Sequence, residues 1–174
     1  MFREMRRKAQ QTSTEECIEI LKNAKTGVLG VTGDDGYPYT VPVSFAYHDS
    51  ADGGLGSIHF HCATVGHKID GIKRNEKVSF CVIAKDEVMP KERTVKYLSV
   101  IVFGRARFLT DSEEMRTSAN SIGEKYSGAY PELYKAETED YLKRGGLCCV
   151  EIQIEHMTGK MGKEEMKERK KLHQ

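Results

Sequence analysis

The sequence predicts a mainly β, α+β protein: six strands in an antiparallel barrel, with helices on the periphery. Three observations carry this. Six segments show period-two alternation or the short β-rich apolar runs of strands. Tight turns and short loops join several of them, so neighbours pair antiparallel. Helical patterns fall only at the start, in the middle and late in the chain, with no regular βαβ alternation.

The elements follow in order. Residues 1–11 carry Arg3, Arg6, Arg7 and Lys8 and read as a solvated arm. Ser13 with Glu16 three residues on is a capping box. Cys17, Ile20, Leu21 and Ala24 then share one helix face. Residues 27–32 (GVLGVT) form a short apolar strand, and GDDG at 33–36 turns the chain. Residues 37–47 read as one long strand. Its odd positions (Tyr37 to Tyr47) are large and apolar or aromatic, and its even positions (Pro38 to Ala46) are small. Two prolines place part of it at a sheet edge or bulge. The small face leaves room for a flat ligand against the backbone; taken alone, the segment fits an edge strand near a subunit contact somewhat better.

Residues 48–56 form a glycine-rich loop, and 77–84 (KVSFCVIA) a buried strand. Residues 85–96 are a charged loop broken by Pro90. Residues 97–109 (YLSVIVFGRARFL) are the longest β-type run, and Gly104 within it marks a bend or bulge. Ser99 is its lone early hydroxyl, either a satisfied core group or a ligand contact. Asp111 with Glu114 opens a helix to about Tyr126, and Pro131 opens a polar one to about Arg144. Gly145 and Gly146 stop the latter. Residues 147–156 form the last strand, with one wet face.

The central stretch, residues 58–75 (IHFHCATVGHKIDGIKRN), begins as a strand, breaks at Ala63-Thr64-Val65-Gly66 and continues as a helix. Backbone N–H groups at a helix start, together with the helix dipole, favour an anion. A lysine in the first turn, Lys68, makes sense if an anion lies between. Residues 64–68 therefore read as a phosphate cradle; an ordinary strand–helix junction with a solvated lysine accounts for the same residues.

With 174 residues the chain has room for one domain with a proper core. Residues 1–159 read as that domain, and 160–174, nearly all charge, as a solvated tail or frayed helix. A formal net charge of +1 gives no chain-wide attraction to nucleic acid or anionic lipid. No apolar run approaches the roughly 20 residues of a membrane span. The basic start lacks the apolar segment of a signal peptide. A cytoplasmic protein with no nucleic-acid or membrane partner is expected. The five cysteines include no C-x-x-C pair and read as free thiols.

His59 and His61 share one strand face, while Cys62 points to the other and no fourth ligand stands at a familiar spacing, so no metal is expected. Gly66-His67-Lys68 lacks the leading glycine and following Ser/Thr of a P-loop. No G-x-G-x-x-G follows a strand, and no G-x-S-x-G is present.

Four segments in this order, GDDGYPYTVPVSF, IHFHCATVGHKIDGIKRNEKVSFCV, YLSVIVFGRAR and IEHMTGK, carry a resemblance. Over residues 1–160 the chain resembles the pyridoxamine-5′-phosphate-oxidase-like FMN-binding split barrels, most nearly the nitroimidazole-resistance flavoproteins. The resemblance implies a homodimer of six-stranded split barrels with FMN in two clefts at the interface. It implies that the FMN phosphate is held at His61, Cys62, His67 and Lys68. The flavin ring would run along Tyr39, Thr40, Val41, Pro42, Val43 and Ser44, with backbone N–H groups near Val41 and Val43 against it. Ser99 would reach FMN from the other subunit. The implied activity is FMN-dependent reduction of a small-molecule electrophile such as a nitroimidazole or nitroaromatic. His61 is the candidate proton donor or substrate contact. The alternative is a non-catalytic flavin or haem carrier or sensor on the same barrel. The chain departs from the pyridoxamine oxidases proper in two places: the cradle's two basic positions are His67 and Lys68, and the arginine-rich C-terminal substrate motif is replaced by Glu155 to Lys160. Pyridoxamine phosphate is not the expected substrate.

Overall fold

Phe45 divides what the alternation presents as one strand. The structure, a computed structural model, describes residues 2–172. In it residues 37–47 become β2 (Pro38–Ser44) and β3 (Ala46–His48), with Phe45 alone between them. The other strands are β1 (Thr26–Thr32), β4 (Ser57–Cys62), β5 (Lys77–Met89), β6 (Thr94–Phe108) and β7 (Cys148–Met161). All pairings are antiparallel, in the order β2-β1-β5-β6-β7-β4-β3. Seven strands thus replace the six expected, and the class, α+β with an antiparallel barrel, is as the sequence predicts. β2 and β3 lie at opposite ends of this order yet are joined through one residue. The sheet must therefore curl until its two edges meet at Phe45, and there the barrel is split.

Phe45 is fully buried and meets Phe80 edge to face, with ring centroids 5.0 Å apart. Its N–H donates to the Tyr126 hydroxyl at 2.9 Å, and that hydroxyl is also within reach of the carbonyls of Phe45 and Lys25. One tyrosine thus satisfies the backbone at the corner where ladder bonds stop. Leu29, Phe60, Phe80, Val82, Val100, Val102, Val150 and Ile152 fill the barrel. Gly104 sits where the β6–β7 register shifts, as its position in the strand suggests. A Cβ there would collide with the Gln153 carbonyl.

The helices are α1 (Thr14–Asn23), α2 (His67–Arg74), α3 (Ser112–Ser127), α4 (Pro131–Arg144) and α5 (Lys163–Leu172). Ser13 caps α1 by accepting from the Glu16 N–H, and Asp111 caps α3 by accepting from Glu113 and Glu114.

Three further expectations are corrected. The charged loop 85–96 is mostly a continuation of the β5–β6 hairpin. Its two faces lie outside the barrel, so charged pairs such as Glu87 with Lys96 replace apolar alternation and hide the strands from a pattern search. Beyond residue 159, β7 runs on to Met161, and α5 is a helix that packs back on the barrel instead of a solvated tail or a frayed helix. Glu165 on α5 is buried, paired to Lys85 at 2.7 Å and to Arg169 at 2.9 Å. Ion pairs, not apolar periodicity, hold this helix. Residues 173–174, also read as tail, lie outside the described residues. In the N-terminal arm Arg3, Arg6, Arg7 and Lys8 are exposed as expected, but its ends are docked: Phe2 stacks on His156 at 4.6 Å, and the buried Gln10 side chain donates to the Met161 carbonyl.

Candidate functional site

β2 pairs with β1 on one side only, so alternate backbone groups on its outer edge have no ladder partner. Tyr39, Val41 and Val43 lean on the core, while Thr40, Pro42 and Ser44 face outward and are exposed. The register carries this outer face across the sheet. Thr40 lies opposite Gly30, Gly30 opposite Ser79, and Ser79 opposite Phe103. Pro42, Val28, Cys81 and Ile101 form the next row. Ile83 (63% exposed), Ile101 (42%) and Phe103 (40%) leave the outer face strongly apolar.

α2 begins at Gly66, whose φ of 134° suits glycine. No side chain caps it, unlike α1 and α3. Lys68 lies in its first turn, and among the described residues no carboxylate pairs with it. His67 stacks on Tyr39, with centroids 4.0 Å apart, and its Nε2 is 3.5 Å from Asp34. Arg74 donates to the carbonyls of Thr32 and Gly33 and pairs with Asp34. The β1–β2 turn and α2 are thereby bound together, and the exposed segment 63–66 is held beside the flavin-type edge expected along β2.

A cavity of about 630 Å³ opens where the end of β2 and the end of β4 diverge. Ser44, His61 and Cys62 line one wall; Tyr126 of α3 and Tyr134, Glu137 and Tyr141 of α4 line the other. Removal of water by the cavity walls holds the His61 pKa below its ordinary value, and the Glu137 carboxylate acts in the opposite direction. Cys62 and Cys148 meet at the end of the β4–β7 ladder. Burial pushes the Cys62 thiol up to about 11, against the pull of Lys68.

Of the residues singled out in the sequence, Ser44, His61 and Cys62 share this cavity. Tyr39 and His67 share a stack, with Lys68 next in the chain. Thr40 faces a separate hollow of about 370 Å³ with Gly30, Ser79 and Phe103. Ser99 lies on the outer face in a third hollow, of about 220 Å³, with Arg3, Met5, Ile101, Thr158 and Lys160. Within one chain Ser99 does not join the others. His59 is 6% exposed and sealed beneath α3, accordingly no part of the cavity. Among the described residues no group of three or more His, Cys, Asp or Glu side chains is arranged to hold a metal, and no helix is long and apolar enough to cross a membrane. The sequence reading missed the α4 wall. The signal was there: Tyr134, Glu137, Thr138 and Tyr141 fall at i, i+3, i+4 and i+7 on one helix face.

The family profile of pyridoxamine 5′-phosphate oxidase matches residues 13–161. The chain belongs to that family. Its match spans every strand and stops at the end of β7. Solved structures with the same barrel include a candidate 5-nitroimidazole antibiotic resistance protein of Bacteroides thetaiotaomicron. It is 21% identical, with a TM-score of 0.67 over 86% of this chain and 84% of that one. The FAD and heme binding protein of Mycobacterium smegmatis is 16% identical, with a TM-score of 0.72 over 88% and 74%. A FAD-binding protein of Mesorhizobium loti is 25% identical, with a TM-score of 0.55 over 88% and 97%. No curated protein sequence matches the chain significantly. In this oxidase-family barrel, Ser44, next to Phe45, and Ala63, three residues before Gly66, both line the His61 cavity.

Proposed function

We propose that the chain is a cytoplasmic, homodimeric, FMN-dependent oxidoreductase that reduces a small electrophile of the nitroaromatic type. The observation that carries this reading is the conjunction of an uncapped helix start bearing Lys68, with no carboxylate partner among the described residues, and a large cavity lined by Ser44, His61 and Cys62. The donor set fits a phosphate monoester: one ammonium group, first-turn N–H groups and an open approach at Gly66, where nothing stands within 4 Å of a Cβ position. Similarly folded proteins described as FAD-binding, and one described as a candidate nitroimidazole-resistance protein, support a flavin and the reaction class.

Bound flavin would supply the electron transfer. The chain's own residues do the rest. Lys68 and the start of α2 hold the phosphate. The outward Thr40, Pro42 and Ser44 are small enough for a ring to lie against β2. The α3–α4 wall shields the acceptor from water, and His61 holds a proton at its imidazole beside it. The exposed Ile83, Ile101 and Phe103 become the dimer face, which carries Ser99 toward the site of the second copy.

Three measurements test this. Purified protein should show a flavin spectrum or take up added FMN. Light scattering should give a dimer mass. Dithionite-reduced holoprotein should be reoxidised by a 5-nitroimidazole without oxygen. A colourless protein indifferent to FMN would sink the reading. Flavin binding without nitro-dependent reoxidation would leave a carrier or sensor.

A further inference from the structure

Cys62 and Cys148 are the terminal in-register pair of the antiparallel β4–β7 ladder. Opposed residues on such strands have Cα atoms about 4.5–5.5 Å apart, within the roughly 4.4–6.8 Å that a disulfide spans. Both side chains lie on the inner face at the barrel end, packed against its core and only partly covered. Cys149, next in the chain, is fully buried on the opposite face, where its thiol is directed to the Met115 carbonyl. Cys17 is hydrogen-bonded to Thr12, and Cys81 on β5 lies opposite Val28 and Ile101, so neither faces another cysteine across a ladder. The geometry thus singles out one pair among five cysteines.

We infer that Cys62 and Cys148 form a reversible modification site, closing to a cross-strand disulfide in exchange with a low-molecular-weight disulfide such as oxidised glutathione. Cys148 is the better first nucleophile. Burial raises its pKa, but Lys68, Lys73 and the neighbouring Cys62 thiol act against that rise. Its thiolate attacks one glutathione sulfur, the S–S bond breaks and one reduced glutathione leaves. The Cys62 thiolate then attacks the Cys148 sulfur of the mixed disulfide and releases the second glutathione. The two cysteine protons end on the two glutathione thiols, and the protein pair is oxidised by two electrons. With both thiols held protonated at neutral pH, closure is slow exchange and not rapid peroxide sensing. The bond would tie the β4 end, at the start of the segment leading to Gly66, to β7. It would close a loop of about 85 residues, long enough to restrict the unfolded chain strongly.

The test incubates the full chain with oxidised glutathione, blocks remaining thiols, and maps peptides by mass spectrometry without reduction. The expected result is an intramolecular link from Cys62 to Cys148, a fall from five to three blockable thiols, and a thermal midpoint raised until dithiothreitol is added. Cys149→Ala should keep the link, and Cys62→Ser should leave Cys148 as a stable glutathione adduct. Adducts on both cysteines without a link, a link through Cys149, a link between chains, or five thiols still free would each overturn the inference.

Discussion

β4 carries two histidines two residues apart, and their fates differ. His59 lies under α3, with Nε2 2.9 Å from the Ser57 hydroxyl and Nδ1 3.2 Å from that of Ser118. His48 stacks on it at 3.9 Å. Burial, with His48 and Arg107 adding in the same direction, pushes its pKa down to about 3. It is therefore neutral at physiological pH, and its approach to Glu151 is no ion pair. His61 has left the cover of α3 and opens on the cavity where α3 and α4 stand off the barrel. Alternation puts both rings on one face; the helix above decides which becomes structure and which becomes chemistry.

The largest expected effect lies on the sealed side. His59→Ala removes a buried ring and leaves the Ser57 and Ser118 hydroxyls without it, which should cost about 2–4 kcal/mol of folding stability. Urea unfolding measures this. A loss below about 0.5 kcal/mol would break the contrast.

On the open side, Lys68→Ala should leave unfolding unchanged but weaken FMN binding roughly ten- to a hundredfold, or about 1.5–3 kcal/mol. Riboflavin, which has no phosphate, should bind both forms alike. Equal loss of riboflavin would make Lys68 a structural residue.

Acid sharpens the comparison next. The folded pKa of His59 lies below its unfolded value near 6.5, so the unfolded chain takes up the proton first. Its contribution is complete above pH 6.5 and is lost as pH falls toward 3. Between pH 7.5 and 5.5 this single group should cost about 1.4 kcal/mol. His48, lowered chiefly by burial, adds loss of the same sign. His59→Gln should flatten the slope. An unchanged slope in that variant would mean that other groups carry it.

These contrasts also mark how far the sequence could be read. Period-two alternation exposed the small outer face of β2, and capping chemistry located α1 and α3 through Ser13 and Asp111. The start of α2 stood out because Gly66 and Lys68 replace a capping side chain. What stayed hidden depends on contacts between distant residues. Phe45 belongs to the alternation, and only pairing of its neighbours with β1 and β4 turns it into a corner. Docking of α5 rests on Lys85, Lys96 and Glu16, which no local pattern links to Glu165, Glu168 and Arg169. His59 and His61 were indistinguishable until α3 covered one of them.

The smallest effect on the fold, and the most direct probe of the open side, comes from His61→Ala. The ring lines a cavity wall and makes no hydrogen bond within the described chain, so unfolding should shift by no more than about 0.5 kcal/mol. If His61 hands a proton to the acceptor, nitro-dependent reoxidation of the reduced holoprotein should slow about tenfold or more. The wild-type rate should also rise as pH falls through the lowered His61 pKa, because the protonated fraction grows there, and this limb should vanish in the variant. FMN affinity should fall far less than in Lys68→Ala. A variant that loses FMN while its remaining holoprotein reacts at the normal rate would make His61 a cofactor contact. The open end of β4 would then bind without contributing to the reaction.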